Sequence, residues 1–386
     1  MRPPFAAILL AALAASAVPA SAQVTLVGNG DQKLTVGGYL QPQYNHIDTR
    51  TLGSRDLTLF RRMVVTLQGT TARHWLGTFQ LDLAPATVRE RVIVKDANLQ
   101  YVGWRDRGLT LTIGNQKPPF SRSLLTSSSR RSLVERTLAG DRSMGSPGRA
   151  LGIKVDGTHR SHLILWSAEV ASSLHSPDAD QIRIDGIAEA GNDWNEGVLI
   201  VGRVELQPRG EVARQQANLE GGEWRFNLAL GGYAWHNDGD RDTYTTGGVA
   251  TTPGYADASQ VKGLEGSAAI RGHGWSIDTE AERIASHALD PTFSGGLYAA
   301  GEATIVKASI EAGRMVIARR LEVVGAYDMA NAGTYGRPWQ RAAAGLSWYV
   351  SGHDVKFQIM HRVSHHDRGI AGARVTTTFA QAQFAF

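Results

Sequence analysis

Ser127-Ser128-Ser129-Arg130-Arg131 sets three hydroxyls beside two guanidiniums, the residue types that hold an oxyanion. A guanidinium grips a phosphate-type anion through paired hydrogen bonds, and hydroxyls add further donors. A serine-rich solvated turn accounts equally well for any one of those serines. The surroundings strengthen the anion reading. Between Lys117 and Lys154 stand eight basic residues, Arg122 and Arg136 among them, against only Glu135 and Asp141. From Arg50 to Lys154 there are 18 Lys or Arg and 7 Asp or Glu, a balance of +11, in a chain whose formal net charge is only +4. Solvated loop charge explains a single arginine. A cluster at a narrow point of a pore is how anion selectivity is built.

Other groupings carry less chemistry. His361, His365 and His366 have metal-ligand spacing, but they lie at a strand end without cysteine or a carboxylate pair, so surface histidines is the better reading. Asp278, Glu280 and Glu282 share one parity of one strand. A cation site or a hydrolytic centre would use them, but an acidic wall facing the basic loop, with a field across a lumen, needs fewer assumptions. No Gly-x-Ser-x-Gly or comparable nucleophile signature occurs. There is no cysteine, so thiolate metal sites and disulfides are excluded, and no cofactor is indicated.

The elements that would position these residues alternate with period two. Val198, Ile200, Val204 and Leu206 oppose Arg203, Glu205 and Gln207; Trp224, Phe226, Leu228 and Leu230 oppose Arg225 and Asn227; Val355, Phe357 and Ile359 oppose Lys356, Gln358 and Arg362. In Leu57 to Gln68 the pattern puts Leu57, Leu59, Met63, Val65 and Leu67 on the apolar face and Arg62 on the polar one. Arg61, on the apolar parity, is then expected at a membrane boundary or a subunit contact. A soluble sandwich also alternates. Charges on the interior parity and the contrast between short connections (272–274, 350–354) and long polar ones (237–260) favour a water-filled barrel with short periplasmic turns. Candidate strands number about sixteen, the connections contain no linker or repeat, and the chain closes on Phe379-Ala380-Gln381-Ala382-Gln383-Phe384-Ala385-Phe386.

Export agrees with this. Arg2, an apolar run from Phe5 to Val18 and the triplet Ala20-Ser21-Ala22 read as a secretory signal peptide over residues 1–22, leaving one barrel domain over 23–386. The run is shorter than the roughly 20 residues a membrane-spanning helix needs. A basic patch usually suggests nucleic acid; an outer-membrane location argues against that partner.

Four motifs in order resemble the phosphate-selective porin O and porin P family: Phe60-Arg61-Arg62-Met63-Val64-Val65-Thr66-Leu67-Gln68-Gly69, then Lys95-Asp96-Ala97-Asn98-Leu99-Gln100-Tyr101, then Leu111 to Ser121 running into Leu125-Thr126-Ser127-Ser128-Ser129-Arg130, and then Glu135-Arg136 followed by Gly148-Arg149-Ala150-Leu151-Gly152. Gly345-Leu346-Ser347-Trp348-Tyr349-Val350 and the closing strand are similar too. The resemblance implies a sixteen-stranded, all-β antiparallel transmembrane barrel, a homotrimer in the bacterial outer membrane, with a long loop folded into the lumen. Its serines and arginines would face small anions such as phosphate. The expected pore-lining residues are therefore Arg62, Lys117, Arg122, Ser127, Ser128, Ser129, Arg130, Arg131 and Arg136, with Arg130, Arg131 and Arg62 forming the positive constriction. A nonselective diffusion porin, a barrel enzyme and a passive adhesive barrel remain the alternatives.

Overall fold

A computed structural model describes residues 23–29, 32–50, 53–71, 74–85, 92–159, 161–186, 195–237 and 256–386. The expected signal peptide and most of the expected long loop 237–260 lie outside them. No described helix is long and apolar enough to cross a membrane. The strands cross instead. They are β1 (Gln23–Asn29), β2 (Gln32–Thr49), β3 (Gly53–Thr71), β4 (Trp75–Asp82), β5 (Ile93–Tyr101), β6 (Leu109–Gln116), β7 (Ala150–Thr158), β8 (Ile164–Leu174), β9 (Glu196–Leu206), β10 (Arg225–Asn237), β11 (Ala258–Gly272), β12 (Trp275–Ala288), β13 (Glu302–Ile317), β14 (Leu321–Ala332), β15 (Trp339–Ser351), β16 (Val355–His365) and β17 (Arg374–Ala385).

Each strand from β2 to β17 pairs antiparallel with its sequence neighbours, and β17 closes on β2 through Phe379 opposite Asn45 and Ala385 opposite Tyr39. The result is a closed ring of sixteen strands with no free edge. β1 lies along the first residues of β2, Gln23 opposite Gly37, just past the point where Phe386 and Gly38 exchange backbone hydrogen bonds of 2.9 and 3.0 Å. Gly38 is required there, since a Cβ would stand 2.2 Å from the Val64 carbonyl oxygen. The aromatic C-terminus thus seals the seam that its alternation suggested.

Alternation fixes which face is which. On β9, Ile200 is 53% exposed while Arg203 and Glu205 are each 3% exposed, so the apolar parity points outward and the charged parity inward. That is the inverse of a soluble core and the pattern of a lipid-facing wall.

Two local departures from alternation shape the lumen. Between β2 and β3, Gln41 opposes Arg62 but Pro42 opposes Phe60, which leaves Arg61 as an extra residue. Between β4 and β5, Phe79 opposes Ala97 but Leu81 opposes Val94, so Lys95 and Asp96 share the place of one residue. These are β-bulges, which re-aim side chains. The first overturns the outward placement of Arg61: its guanidinium reaches Glu135 in the lumen. It also reverses parity above it. Leu57 and Leu59 oppose Asn45 and Gln43 on the interior parity, while Phe60 opposes Pro42 on the outer one.

Turns on the side of the two chain ends are short at 272–275 and 351–355, with one exception. The β9–β10 connection, residues 207–224, is long, and Val212, Gln216, Ala217 and Asn218 within it are buried. The expectation of uniformly short turns there fails because this segment folds back into the barrel.

Candidate functional site

The β6–β7 connection, residues 117–149, crosses the barrel interior, and its route follows from what it can pay in hydrogen bonds. Ser121 N and Arg122 N donate to the Glu265 carboxylate at 2.8 and 3.2 Å, and Ser123 N donates to Glu280 Oε2 at 2.9 Å. Backbone donors at a short helical turn, Arg122–Leu125, thus meet carboxylates projected by β11 and β12. Arg122 itself is buried, with Nε on Asp278 at 2.7 Å and Nη1 on Asn227 at 3.3 Å. Farther along, Ser146 Oγ donates to Glu282 Oε2 at 2.9 Å, and Lys307 Nζ sits 2.7 Å from both of those oxygens. The acidic wall formed by Asp278, Glu280 and Glu282 is therefore a docking face covered by the loop, not a bare wall across an open lumen.

Apolar packing completes the docking. Phe120, Leu138 and Met144 of the loop join Ile182, Ile184, Trp235, Ile284 and Ile305 in one buried cluster. Residues 143–148 also exchange backbone hydrogen bonds with Ile182 and Ile184 at 2.6–3.0 Å. One half of the lumen is thereby filled like a protein core.

The basic residues divide into two groups. Arg61, Arg122, Arg130 and Arg149 are neutralised: Arg61 holds Glu135 through Nε at 2.6 Å and Nη2 at 3.0 Å, Arg122 meets Asp278, Arg130 meets Asp354 at 3.1 Å, and Arg149 grips Asp96 at 2.8 and 3.1 Å. Arg62, Lys117 and Arg136 make no ion pair with a carboxylate among the described residues. Arg62 Nη1 donates to the Gln41 amide oxygen at 2.9 Å, Lys117 Nζ to the Leu124 carbonyl at 2.6 Å, and Arg136 to the carbonyls of Ser123 and Thr126 and the hydroxyl of Ser128. Arg131 stands between the groups, 2% exposed, 3.7 Å from Glu311, with Nε and Nη1 buried and without a hydrogen-bond partner among the described residues.

The unpaired cations work against one another. Burial, then Arg136 and Arg149, pull the Lys117 ammonium well below its ordinary value. Burial, then Arg131 and Arg62, depress Arg136 in the same way. A guanidinium does not surrender its proton in a protein, so the strain stays in place as uncompensated positive charge. Burial works to raise the Glu135 carboxyl, but Arg61 and Arg62 outweigh it and hold that group below the usual carboxylate range.

The structure thus brings Arg62, Lys117 and Arg136 of the expected residues together, with Ser128 on Arg136. It places Arg130 toward the 352–354 turn and leaves Ser127 exposed and Ser129 half-buried, bonded to each other at 3.0 Å. Sequence reasoning missed Lys95 and Arg149, whose charges act on Lys117. Both lay inside recognised motifs, and Lys95 is turned inward by a bulge that alternation does not reveal. Among the described residues no group of His, Asp and Glu has a metal-binding arrangement, and His361 bonds Thr378 Oγ1 at 2.9 Å on the outer parity.

Comparison with known proteins agrees with the barrel fold. The family model of phosphate-selective porin O and P matches residues 35–184. No curated protein matches the sequence. Among solved structures, the chain is similar to an anion-selective porin from Comamonas acidovorans, with 12% identity, 92% of this chain and 100% of that chain covered and a TM-score of 0.62. It is similar to the outer membrane channel DcaP of Acinetobacter baumannii, with 9% identity, coverage of 94% and 99% and a TM-score of 0.59. A third likeness is to in-vitro folded OmpT, an outer membrane protein of Vibrio cholerae, in its trimer form, with 11% identity, coverage of 91% and 99% and a TM-score of 0.54. The chain is an outer-membrane β-barrel of porin fold whose residues 35–184 match the model of phosphate-selective porin O and P.

Proposed function

We propose that this chain is a passive channel for small anions, and that its selectivity element is the group Arg62, Lys117 and Arg136. Lys95 and Arg149 add to the field, and Arg131 stands behind. The observation that carries this is the absence of any carboxylate partner for those three cations among the described residues, in a lumen where Arg61, Arg122, Arg130 and Arg149 all have one. A mobile anion is the partner that would complete the set, and in a narrow low-dielectric passage each contact is stronger than in bulk water. The loop docked on the β11–β13 side directs passage toward the β3–β6 wall, where the bulges at Arg61 and Lys95 present their side chains.

Phosphate suits this site better than chloride, since Arg62 brings a guanidinium, Lys117 and Arg136 add charge, and Ser128 adds a hydroxyl. The family description and the anion-selective likeness support the same class of solute. The barrel spans residues 23–386 as one domain after removal of a signal peptide, and it assembles as a homotrimer in outer-membrane lipid. The trimeric likeness supports the last point. A channel rather than an enzyme fits a lumen whose carboxylates on β11 and β12 hold the loop and whose unpaired cations face the remaining passage.

The test is the reversal potential of the purified protein in a planar bilayer under a KCl gradient, followed by block of chloride current with added phosphate. A potential near the chloride equilibrium value and block by phosphate are expected. A cation-leaning potential would overturn the anion reading. Anion preference without phosphate block would reduce the reading to general diffusion with an anionic bias.

A further inference from the structure

The connection from Gln207 to Trp224 has no role in the reading above, yet it enters the lumen from the side of the chain ends and meets the 117–149 loop in mid-barrel. Its centre is Gln216, 5% exposed, which uses all four of its polar groups to join the loop, β13 and the β15–β16 turn. Its backbone N donates to the Arg130 carbonyl at 2.8 Å. Its side-chain oxygen accepts from Ser132 N at 2.9 Å. Its side-chain nitrogen donates to Glu311 Oε2 on β13 at 2.8 Å, and its carbonyl accepts from His353 Nε2 in the β15–β16 turn at 2.8 Å.

The neighbours of Gln216 reinforce the grip. The Gln215 carbonyl accepts from Arg271 Nη2 at 2.8 Å, and the Ala213 carbonyl accepts from Arg122 Nη2 at 3.4 Å. Ala217 is held at φ 60°, a left-handed conformation that L-residues seldom adopt unless their surroundings enforce it. Its methyl is buried against Met315 and Tyr349. A turn that served only to join two strands would need two to five residues, not an inward excursion paid for with strain.

We infer that residues 207–224 form a strap on the periplasmic side that narrows the lumen beneath the loop, and that Gln216 is the positioning residue locking strap and loop together. The inference rests on the barrel being a channel, and it concerns bore and gating rather than the sign of the permeating ion. Loop and strap are joined at Arg130 and Ser132, so release of the strap removes one anchor from the stretch of loop that carries Arg131, leaving it held by Ser347, Lys356 and Gln358 of the wall.

The test uses the full-length protein in planar bilayers, with heat-modifiable mobility as the check on folding. Gln216→Ala is expected to raise the single-channel conductance about twofold and to add open-state noise, as widening at a constriction does. Gln216→Glu gives a reversible form of the same experiment. At neutral pH its carboxylate faces that of Glu311, so the strap is pushed away and conductance rises. Below about pH 4 the added group takes up a proton, regains a donor and returns the conductance toward that of the parent protein at the same pH. If Gln216→Ala does not fold, the glutamate variant inserted at acid pH and shifted to neutral decides alone. Equal conductance and noise in parent and variants at both pH values overturns the strap, as does a barrel that passes no current in any of the three forms. Loss of anion selectivity with the conductance changes intact would instead count against the reading of the three cations.

Discussion

Arg61 grips Glu135 with two parallel hydrogen bonds, 2.6 Å from Nε and 3.0 Å from Nη2, so the acid that acts on Arg62 is held by the arginine that a β-bulge turned inward. Glu135 therefore sets how much positive charge the constriction shows. Replacing it by glutamine keeps a side chain that still accepts from Gln43 but frees the Arg61 charge. Glu135→Gln is expected to raise anion-over-cation permeability at low salt, with the gain shrinking as ionic strength rises. An unchanged ratio at low salt would show that this carboxylate does not face the permeation path.

Lys117 and Arg136 should matter most for anion binding. A hydrogen bond to a charged group is worth on the order of 1.5–3 kcal/mol, so Lys117→Ala or Arg136→Ala is expected to weaken phosphate block by about tenfold or more at low salt. Arg130→Ala should do far less, because that side chain is 38% exposed and paired with Asp354. The ranking is the prediction: phosphate titration of chloride current in which Arg130→Ala loses more than Arg136→Ala would move the selectivity element to the serine-arginine run.

How far this was legible in the sequence follows from what each signal measures. Alternation reads a face, so Ile200 outside and Arg203 inside were available from period two alone. A bulge has no such signature. Arg61 and Lys95 could be placed only once Gln41 and Gln80 were seen opposite two residues each, and the same slip carried Leu57 and Leu59 to the interior parity. The basic loop was legible as charge, but which arginines stayed unpaired depended on Asp96, Asp278 and Asp354, carried by other parts of the chain. The strap was illegible for the same reason: a polar stretch around Pro208 and Gly210 reads as a solvated turn, and its partners Ser132, Glu311 and His353 are remote in sequence.

Lys307 and Glu282, 2.7 Å apart with neither side chain exposed, anchor the loop through Ser146. Removing one member of a buried pair strands the other charge, at a cost of about 3–5 kcal/mol. Lys307→Met is expected to lower the temperature at which the folded band is lost on a heat-modifiable gel and to increase current noise as the loop loosens. Lys307→Met combined with Glu282→Gln should recover part of that loss. A double variant as unstable as the single one would mean that the pair contributes packing rather than charge compensation.

Acid should weaken the barrel through His175. This residue follows β8, is 1% exposed, and its ring lies 5.4 Å from that of Trp235. Burial pushes its imidazole down to about 4 from an ordinary value of 6.5. The folded state therefore binds fewer protons than the unfolded chain between those two values, and stability falls as pH falls. The contribution is fully present above about pH 6.5, declines through the window, and is lost once pH drops below about 4, with a ceiling of about 3 kcal/mol. His353, buried against Gln216 and depressed chiefly by that burial, acts in the same direction. His175→Phe keeps a ring beside Trp235 and removes the titration, so it should flatten the decline in thermal stability between pH 6.5 and 4 while leaving the His353 share. If parent and His175→Phe barrels lose stability along the same curve in detergent, His175 is not the titrating group.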